Sequence, residues 1–333
     1  MARYPQIEGL LRRTRDVLNA RAYSPRTGEA YTAWIERFLR WHGSPHPASL
    51  TPGHVEVFLE HLARDARLAP KSRNQAASAL SFLYREILGT DRLEGVTRAR
   101  PRRKVPLVLS RREVKAVLRE LHGRYRLIGG LLYGTGMRLG ECLGLRIKDL
   151  DFDLAQITVR DGKGGKDRYA VFPERLQDQV RRQVRRVRAL QRADREKGGG
   201  WAALPGALHL KDPRAGWEAG WQYLFPASRW STDPATGRSG RQHLHDSAMQ
   251  RAMKKAVRRS GILKPATCHT LRHSFASQLL RDGYDIRQVK DLLGHKDVRT
   301  TMIYLHAVDQ SGLGVRSPLD RSDFEDEALP HED

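Results

Sequence analysis

Five groups of residues in this chain have the types and spacing to break and rejoin a phosphodiester. They are Arg138 in Thr135-Gly136-Met137-Arg138-Leu139-Gly140-Glu141, Lys163 in Gly162-Lys163-Gly164-Gly165-Lys166, and His269-Thr270-Leu271-Arg272-His273. Leu292-Leu293-Gly294-His295 follows, and Tyr304 comes nine residues later. Cleaving a phosphodiester adds negative charge to its non-bridging oxygens in the transition state. Guanidiniums suit that charge, because they stay ionised and hold oxygens in a fork. Arg138 follows a Thr-Gly turn inside an apolar stretch, and Arg272 shares a helical segment with Leu271, Phe275 and Leu279. These two arginines are the predicted phosphate grip. His269 and Arg272 are three apart and share one helix face. The histidine can accept a proton during cleavage and return it on rejoining. His273, one position further, is expected to face elsewhere and to be structural. Lys163, on a glycine-rich turn, can reach a leaving oxygen and protonate it; Lys166 is its rival. No Gly-x-x-x-x-Gly-Lys-Ser/Thr pattern surrounds these glycines, which excludes a phosphate-cradling loop of that kind.

The ordered set of five resembles the tyrosine recombinase/integrase family. By that resemblance Arg138 and Arg272 grip the scissile phosphate, and His295 hydrogen-bonds it. Glu141, three after Arg138, matches an acidic residue that orients its neighbours. Among 10 tyrosines, Tyr304 alone follows His295 at the family spacing, which makes it the nucleophile. Attack would leave a 3′-phosphotyrosyl enzyme and a free 5′ hydroxyl, conserving the bond energy for rejoining without a cofactor.

The charge fits such a substrate. Lys and Arg number 60 against 38 Asp and Glu, a formal net charge of +22 with a pI near 10.5. Nucleic acid is the expected partner of so basic a chain. Two cysteines, Cys142 and Cys268, cannot form a disulfide framework, and a cytoplasmic protein is expected. No segment reads as a secretion signal or a membrane span. There are 13 histidines, but none pairs with a cysteine at zinc-ligand spacing, so no metal is expected.

The elements that must position these residues follow from periodicity. Tyr31, Trp34, Ile35, Phe38 and Leu39 form one helical stripe. Val55, Phe58, Leu59 and Leu62 form another behind Thr51-Pro52, and Leu80, Leu83, Tyr84 and Ile87 a third that stops at Gly89. With the weaker 7–18 segment, residues 1–94 read as a helical, DNA-binding N-terminal domain. Residues 95–106 carry five basic side chains and two prolines and read as a linker. Ser110 with Glu113 forms a capping box that opens a catalytic domain over 107–319. Within it, Ile157 and Val159 lie on one side of a turn and Tyr169 and Val171 on the other, in a hairpin whose tip holds Lys163. Leu176, Val180, Val184, Val187 and Leu190 then lie near helical spacing amid arginines. The acidic stretch 320–333 reads as disordered. The expected fold is mainly α with a small antiparallel β-sheet in the catalytic domain, a two-domain DNA clamp of the recombinase type.

Residues 198–245, rich in Gly, Pro and Trp, exceed a minimal catalytic domain. They resemble the extra segment of integron integrases, departing from it at Asp212, where a tyrosine is usual. That resemblance implies a folded single-stranded cassette site whose hairpin carries extruded bases, recombined with a duplex attachment site. Four protomers on two sites are implied as well. An extruded base needs an aromatic or apolar pocket. Trp221 is the first choice for it, with Pro234 and His243 as partners; alternatively Trp221, Tyr223 and Phe225 only pin the insertion. Two rival readings are a recombinase of the Xer or phage-integrase kind acting on duplex sites, and a non-catalytic DNA-binding protein. The latter leaves Tyr304, Lys163 and His269 without a role.

Overall fold

Helices begin where the sequence supplies a cap or a proline, and several end where it supplies a glycine. The computed structural model describes residues 5–21, 23–43, 49–90, 106–160 and 167–309. Lys163, Lys166, residues 95–105 of the expected linker, the stretch from 310 and the acidic tail lie outside them. The chain divides into two compact units, Met1–Lys104 and Val105–Asp333.

The first unit holds α1 (Pro5–Ala20), α2 (Pro25–Trp41), α3 (Pro52–Arg64) and α4 (Pro70–Phe82), which runs on into a wider turn at Leu83–Ile87. Ser24 caps α2 by accepting from the Thr27 N–H, and the Thr51 N–H donates to His54 Nδ1 at 3.1 Å at the head of α3. The apolar stripes close on one core of Ile35, Phe38, Leu39, Val55, Phe58, Leu62, Leu80 and Leu83. Tyr84, also in it, reaches the Leu50 carbonyl at 3.1 Å through its hydroxyl. Gly89, at φ 68°, ends the last segment.

The second unit opens with the Ser110–Glu113 capping box on α5 (Arg111–Glu120), followed by α6 (Gly123–Thr135) and the short α7 (Leu139–Leu143). A three-stranded antiparallel sheet comes next: β1 (Leu150–Asp151), β2 (Gln156–Val159) and β3 (Arg168–Val171). Ile157 pairs with Ala170, so those two share the buried face. Tyr169 and Val171 pair with Thr158 and Gln156 on the exposed face, the side opposite to the one their bulk suggests. In α8 (Glu174–Glu196), Val180, Val184 and Val187 are buried, and the buried stripe then continues through Gln191 and Asp194. Polar residues serve there because the helix now meets the insertion. Gln191 donates to the Trp217 carbonyl at 2.8 Å, and Arg241 pairs with Asp194 at 2.5 Å.

The insertion carries α9 (Leu208–Lys211) and the two-stranded ribbon β4 (Ser231–Thr232) and β5 (Ser239–Gly240). It is seated by Trp201, 1% exposed, whose indole N–H reaches Asp233 at 3.0 Å. Arg146 holds its other end, donating to the carbonyls of Trp221 (2.6 Å) and Ala203 (2.7 Å) and to the Tyr223 hydroxyl (3.1 Å). Leu224 and Phe225 enter the main core. The rest is α10 (Asp246–Arg259), α11 (Cys268–Arg281), α12 (Ile286–Leu293) and α13 (Arg299–Asp309). Among the described residues no helix is long and apolar enough to cross a membrane.

Gly136, which ends α6 at φ 66°, is a tight joint of this unit. A Cβ there would stand 2.4 Å from the Phe275 ring and 3.0 Å from Leu293. Gly136→Ala should lower unfolding free energy by about 2 kcal/mol or more, from left-handed strain plus overpacking. Urea denaturation of the variant checks this, and an unchanged midpoint would mean that the joint has slack.

Candidate active site

Two helix ends supply the floor of the site. α6 terminates at left-handed Gly136, and α12 terminates at left-handed Gly294, φ 64°. Each leaves carbonyl oxygens at the negative end of a helix dipole. α11, opened by the Thr267–Thr270 capping box, delivers Arg272 between them. Its guanidinium is 1% exposed and donates to Gly136 O at 2.6 Å and to Leu293 O at 2.8 Å. Burial and then the nearby Arg138 lower its pKa to about 10, so it stays charged at neutral pH.

His295 follows the Gly294 cap, its Nε2 3.0 Å from an Arg272 nitrogen and its Nδ1 2.8 Å from Thr301 Oγ1. Because a guanidinium only donates, Nε2 must be the accepting nitrogen. The ring proton then sits on Nδ1 and points at Thr301. Tyr304, on α13, lies nearly parallel to His295 with ring centroids 6.2 Å apart. It is 2% exposed and packs with Phe275, Ala276, Val289 and Leu293. Burial raises its pKa above the ordinary phenol value of 10, opposed by the charge of Arg272.

The Tyr304 hydroxyl lies 3.0 Å from His273 Nδ1. His273 therefore does not face elsewhere, and this corrects the expected direction of its side chain. Spacing along α11 argued from one target on one face, whereas α13 brings Tyr304 up beside the next residue round the helix. His269 lies edge-on to His273, ring centroids 4.5 Å apart. Burial, then His269 and Arg272, lower the His273 pKa to about 4 and keep the ring neutral.

Arg138 caps α7. Its N–H donates to Glu141 Oε2 at 2.8 Å and its Nη1 to Oε1 at 2.6 Å. Glu141 also receives Arg168 Nη2 at 2.8 Å, while Arg168 Nε reaches Leu292 O at 3.1 Å. Arg168 is the first residue of β3, so this ion pair ties the foot of the hairpin to the arginine turn and to the end of α12. Sequence reasoning missed it. Among 60 basic residues, its place two after Lys166 was the one available signal.

Arg138, His269, Arg272, His273, His295 and Tyr304 together line a cavity of about 500 Å³. Such a set can hold a phosphodiester, neutralise it and present a hydroxyl to it. Trp221, Pro234 and His243 belong to the insertion and are not part of that lining. Trp221 is half-buried, with Lys148 Nζ 2.9 Å from its ring centroid. Pro234 is exposed, and the His243 ring meets Tyr223 edge-on at 5.5 Å.

Residues 108–311 match the pattern described as the phage integrase family, and residues 10–93 match its N-terminal SAM-like domain. The chain is 51% identical over 300 residues to an integrase/recombinase of Escherichia coli, covering 90% of this chain and 89% of that one. It is 31% identical over 290 residues to the tyrosine recombinase XerA of Thermococcus kodakarensis, covering 86% of each. In fold it resembles a lambda integrase tetramer bound to a Holliday junction, with a TM-score of 0.62 at 17% identity over 91% of this chain and 78% of that one.

Burial alone would raise the Glu141 carboxyl; hydrogen bonds from Arg168 and Arg138 outweigh it and leave it below the usual glutamate range. A carboxylate depressed in the folded state stabilises above its unfolded pKa, and the contribution is lost as pH falls through the folded value. Glu141→Gln should therefore cost about 3 kcal/mol at pH 7, since it leaves two guanidiniums facing each other. The gap from the wild type should narrow below about pH 4. Denaturation at several pH values measures it, and a gap independent of pH would show that packing, not charge, was removed.

Proposed function

This chain belongs to the phage integrase family of tyrosine recombinases, and we propose that it is an integron integrase that moves gene cassettes. The enzyme is a site-specific tyrosine recombinase. In the proposed reaction, Arg138 and Arg272 take the non-bridging oxygens of the scissile phosphate, with His269 and His295 beside them. The Tyr304 oxygen attacks phosphorus, and the leaving 5′ oxygen takes a proton from Lys163. A 3′-phosphotyrosine holds the strand until a 5′ hydroxyl reverses the step. Glu141 keeps Arg138 in place. The observation that carries this reading is the buried Tyr304 at the edge of a cavity whose other walls include two guanidiniums and three imidazoles.

Four copies would act together on two DNA sites in the cytoplasm, without a cofactor. A related fold has been seen as a tetramer on a Holliday junction, which accords with that assembly. The cassette side of the reading rests on the insertion. Residues 198–245 form a seated structure with its own buried tryptophan. The proposed cassette site is a folded single strand, with an extruded base stacked on Trp221 and flanked by Pro234 and His243. The other partner site is duplex.

A second reading is a recombinase of duplex sites alone. Lys148 against one face of Trp221, with Arg146 5.3 Å from the same ring, favours it by giving the indole a packing role.

Tyr304→Phe should bind DNA with unchanged affinity yet form no covalent adduct on a site nicked beside the scissile bond. EDTA should leave the wild type unaffected. An adduct formed by the Phe variant would remove Tyr304 as nucleophile. Trp221→Ala should weaken binding to a folded hairpin site by about 1–3 kcal/mol and leave a duplex site unchanged. Equal losses on both substrates, with a lower melting temperature, would favour the duplex reading.

A further inference from the structure

We infer that His273 is a further catalytic residue, the group that takes the proton of the Tyr304 hydroxyl as that oxygen attacks phosphorus. This rests on the reading of Tyr304 as the nucleophile.

The geometry leaves the hydroxyl little choice. At 2% exposure, Tyr304 is largely shut off from bulk water. Arg272, the cation nearest its chemistry, has donors only. His273 Nδ1, at 3.0 Å, can accept, and a neutral ring protonated on Nε2 presents its lone pair there. The groups that face His273 are His269 and Arg272 on its own helix, Tyr304 on α13, and Arg138 and His295 across the cavity. Burial, then His269 and Arg272, keep the ring unprotonated and poised to accept. A phosphate in the cavity offsets Arg138 and Arg272, and the charge that grows on it in the transition state stabilises an imidazolium beside it. Proton transfer is thereby tied to the arrival of the substrate.

The step balances. The O–H bond of Tyr304 breaks and its proton joins His273 Nδ1, while the phenolic oxygen bonds to phosphorus. The bond from phosphorus to the 5′ oxygen breaks, and that oxygen is protonated by Lys163. His273 holds its proton as imidazolium until rejoining, when it returns the proton to the departing Tyr304 oxygen. His269, edge-on to His273, is left to serve the phosphate.

The test uses the full chain and a duplex site, selected from random sequence by binding and nicked beside the scissile bond. Single-turnover adduct formation is followed from pH 6 to pH 10 for the wild type, His273→Ala, His273→Asn, Lys163→Ala and Tyr304→Phe. A second substrate carries sulfur at the leaving 5′ position, which needs no proton to depart. His273→Ala should slow the adduct by about a hundredfold to ten-thousandfold at neutral pH, with DNA affinity unchanged. Its rate should climb with pH towards the phenol's own ionisation, where the wild type is level. Sulfur should restore Lys163→Ala but not His273→Ala. His273→Asn can accept the hydrogen bond but cannot hold the proton, so it should keep the steep pH profile; if the Ala variant does not fold, the Asn profile decides. A wild-type rate and level profile in either variant, or full rescue of His273→Ala by sulfur, would overturn the assignment. An adduct formed by Tyr304→Phe would instead sink the nucleophile reading beneath it.

Discussion

A guanidinium almost closed to solvent, at Arg272, is the constraint around which the second unit is arranged. A buried charge is tolerated only when it is held by well-placed partners. Here the partners are the carbonyls of Gly136 and Leu293 and the accepting nitrogen of His295. Two of the three are the negative ends of helices, each worth about 0.3–1 kcal/mol to a cation and more when buried. Both helices must therefore stop at the same point and turn sharply away. That explains a glycine in the left-handed region at each end, Gly136 and Gly294.

The rest of the site hangs from that point. The turn after Gly136 delivers Arg138, and the turn after Gly294 delivers His295, so the two glycines set the spacing of three cavity walls. Glu141 joins the first turn to β3 through Arg168, and Arg168 reaches the Leu292 carbonyl near the end of α12. Movement of the hairpin foot would be felt by both guanidiniums. A cradle of this kind is assembled before any phosphate arrives, and preorganised charge loses little to rearrangement during reaction.

Local signals made the helices legible. Stripes at 31–39, 55–62 and 80–87, the Ser110 box and the Gly89 stop all appear where periodicity and caps place them. Arg138, His269, Arg272, His295 and Tyr304 could be singled out because each stands in a recognisable string, and the structure gathers all five around one cavity. What escaped depends on contacts between segments far apart in the chain. Arg168 meets Leu292, Arg146 meets Ala203 and Trp221, and no local pattern marks any of these pairs. The direction of His273 was misjudged because one helix face was taken as the whole site. The polar stripe of Gln191 and Asp194 could not be foreseen without knowing that the insertion covers it. Gly240 is similar: it sits where a Cβ would collide with the Trp201 backbone, and its neighbours in sequence say nothing of that.

The most direct measurement is mass spectrometry of the covalent complex trapped on a nicked site and digested with protease and nuclease. The expected result is a single nucleotide joined through its 3′ phosphate to the tyrosine of Thr301-Met302-Ile303-Tyr304. A nucleotide on any other side chain, or one linked through a 5′ phosphate, would contradict an active site built on the Arg272 cradle.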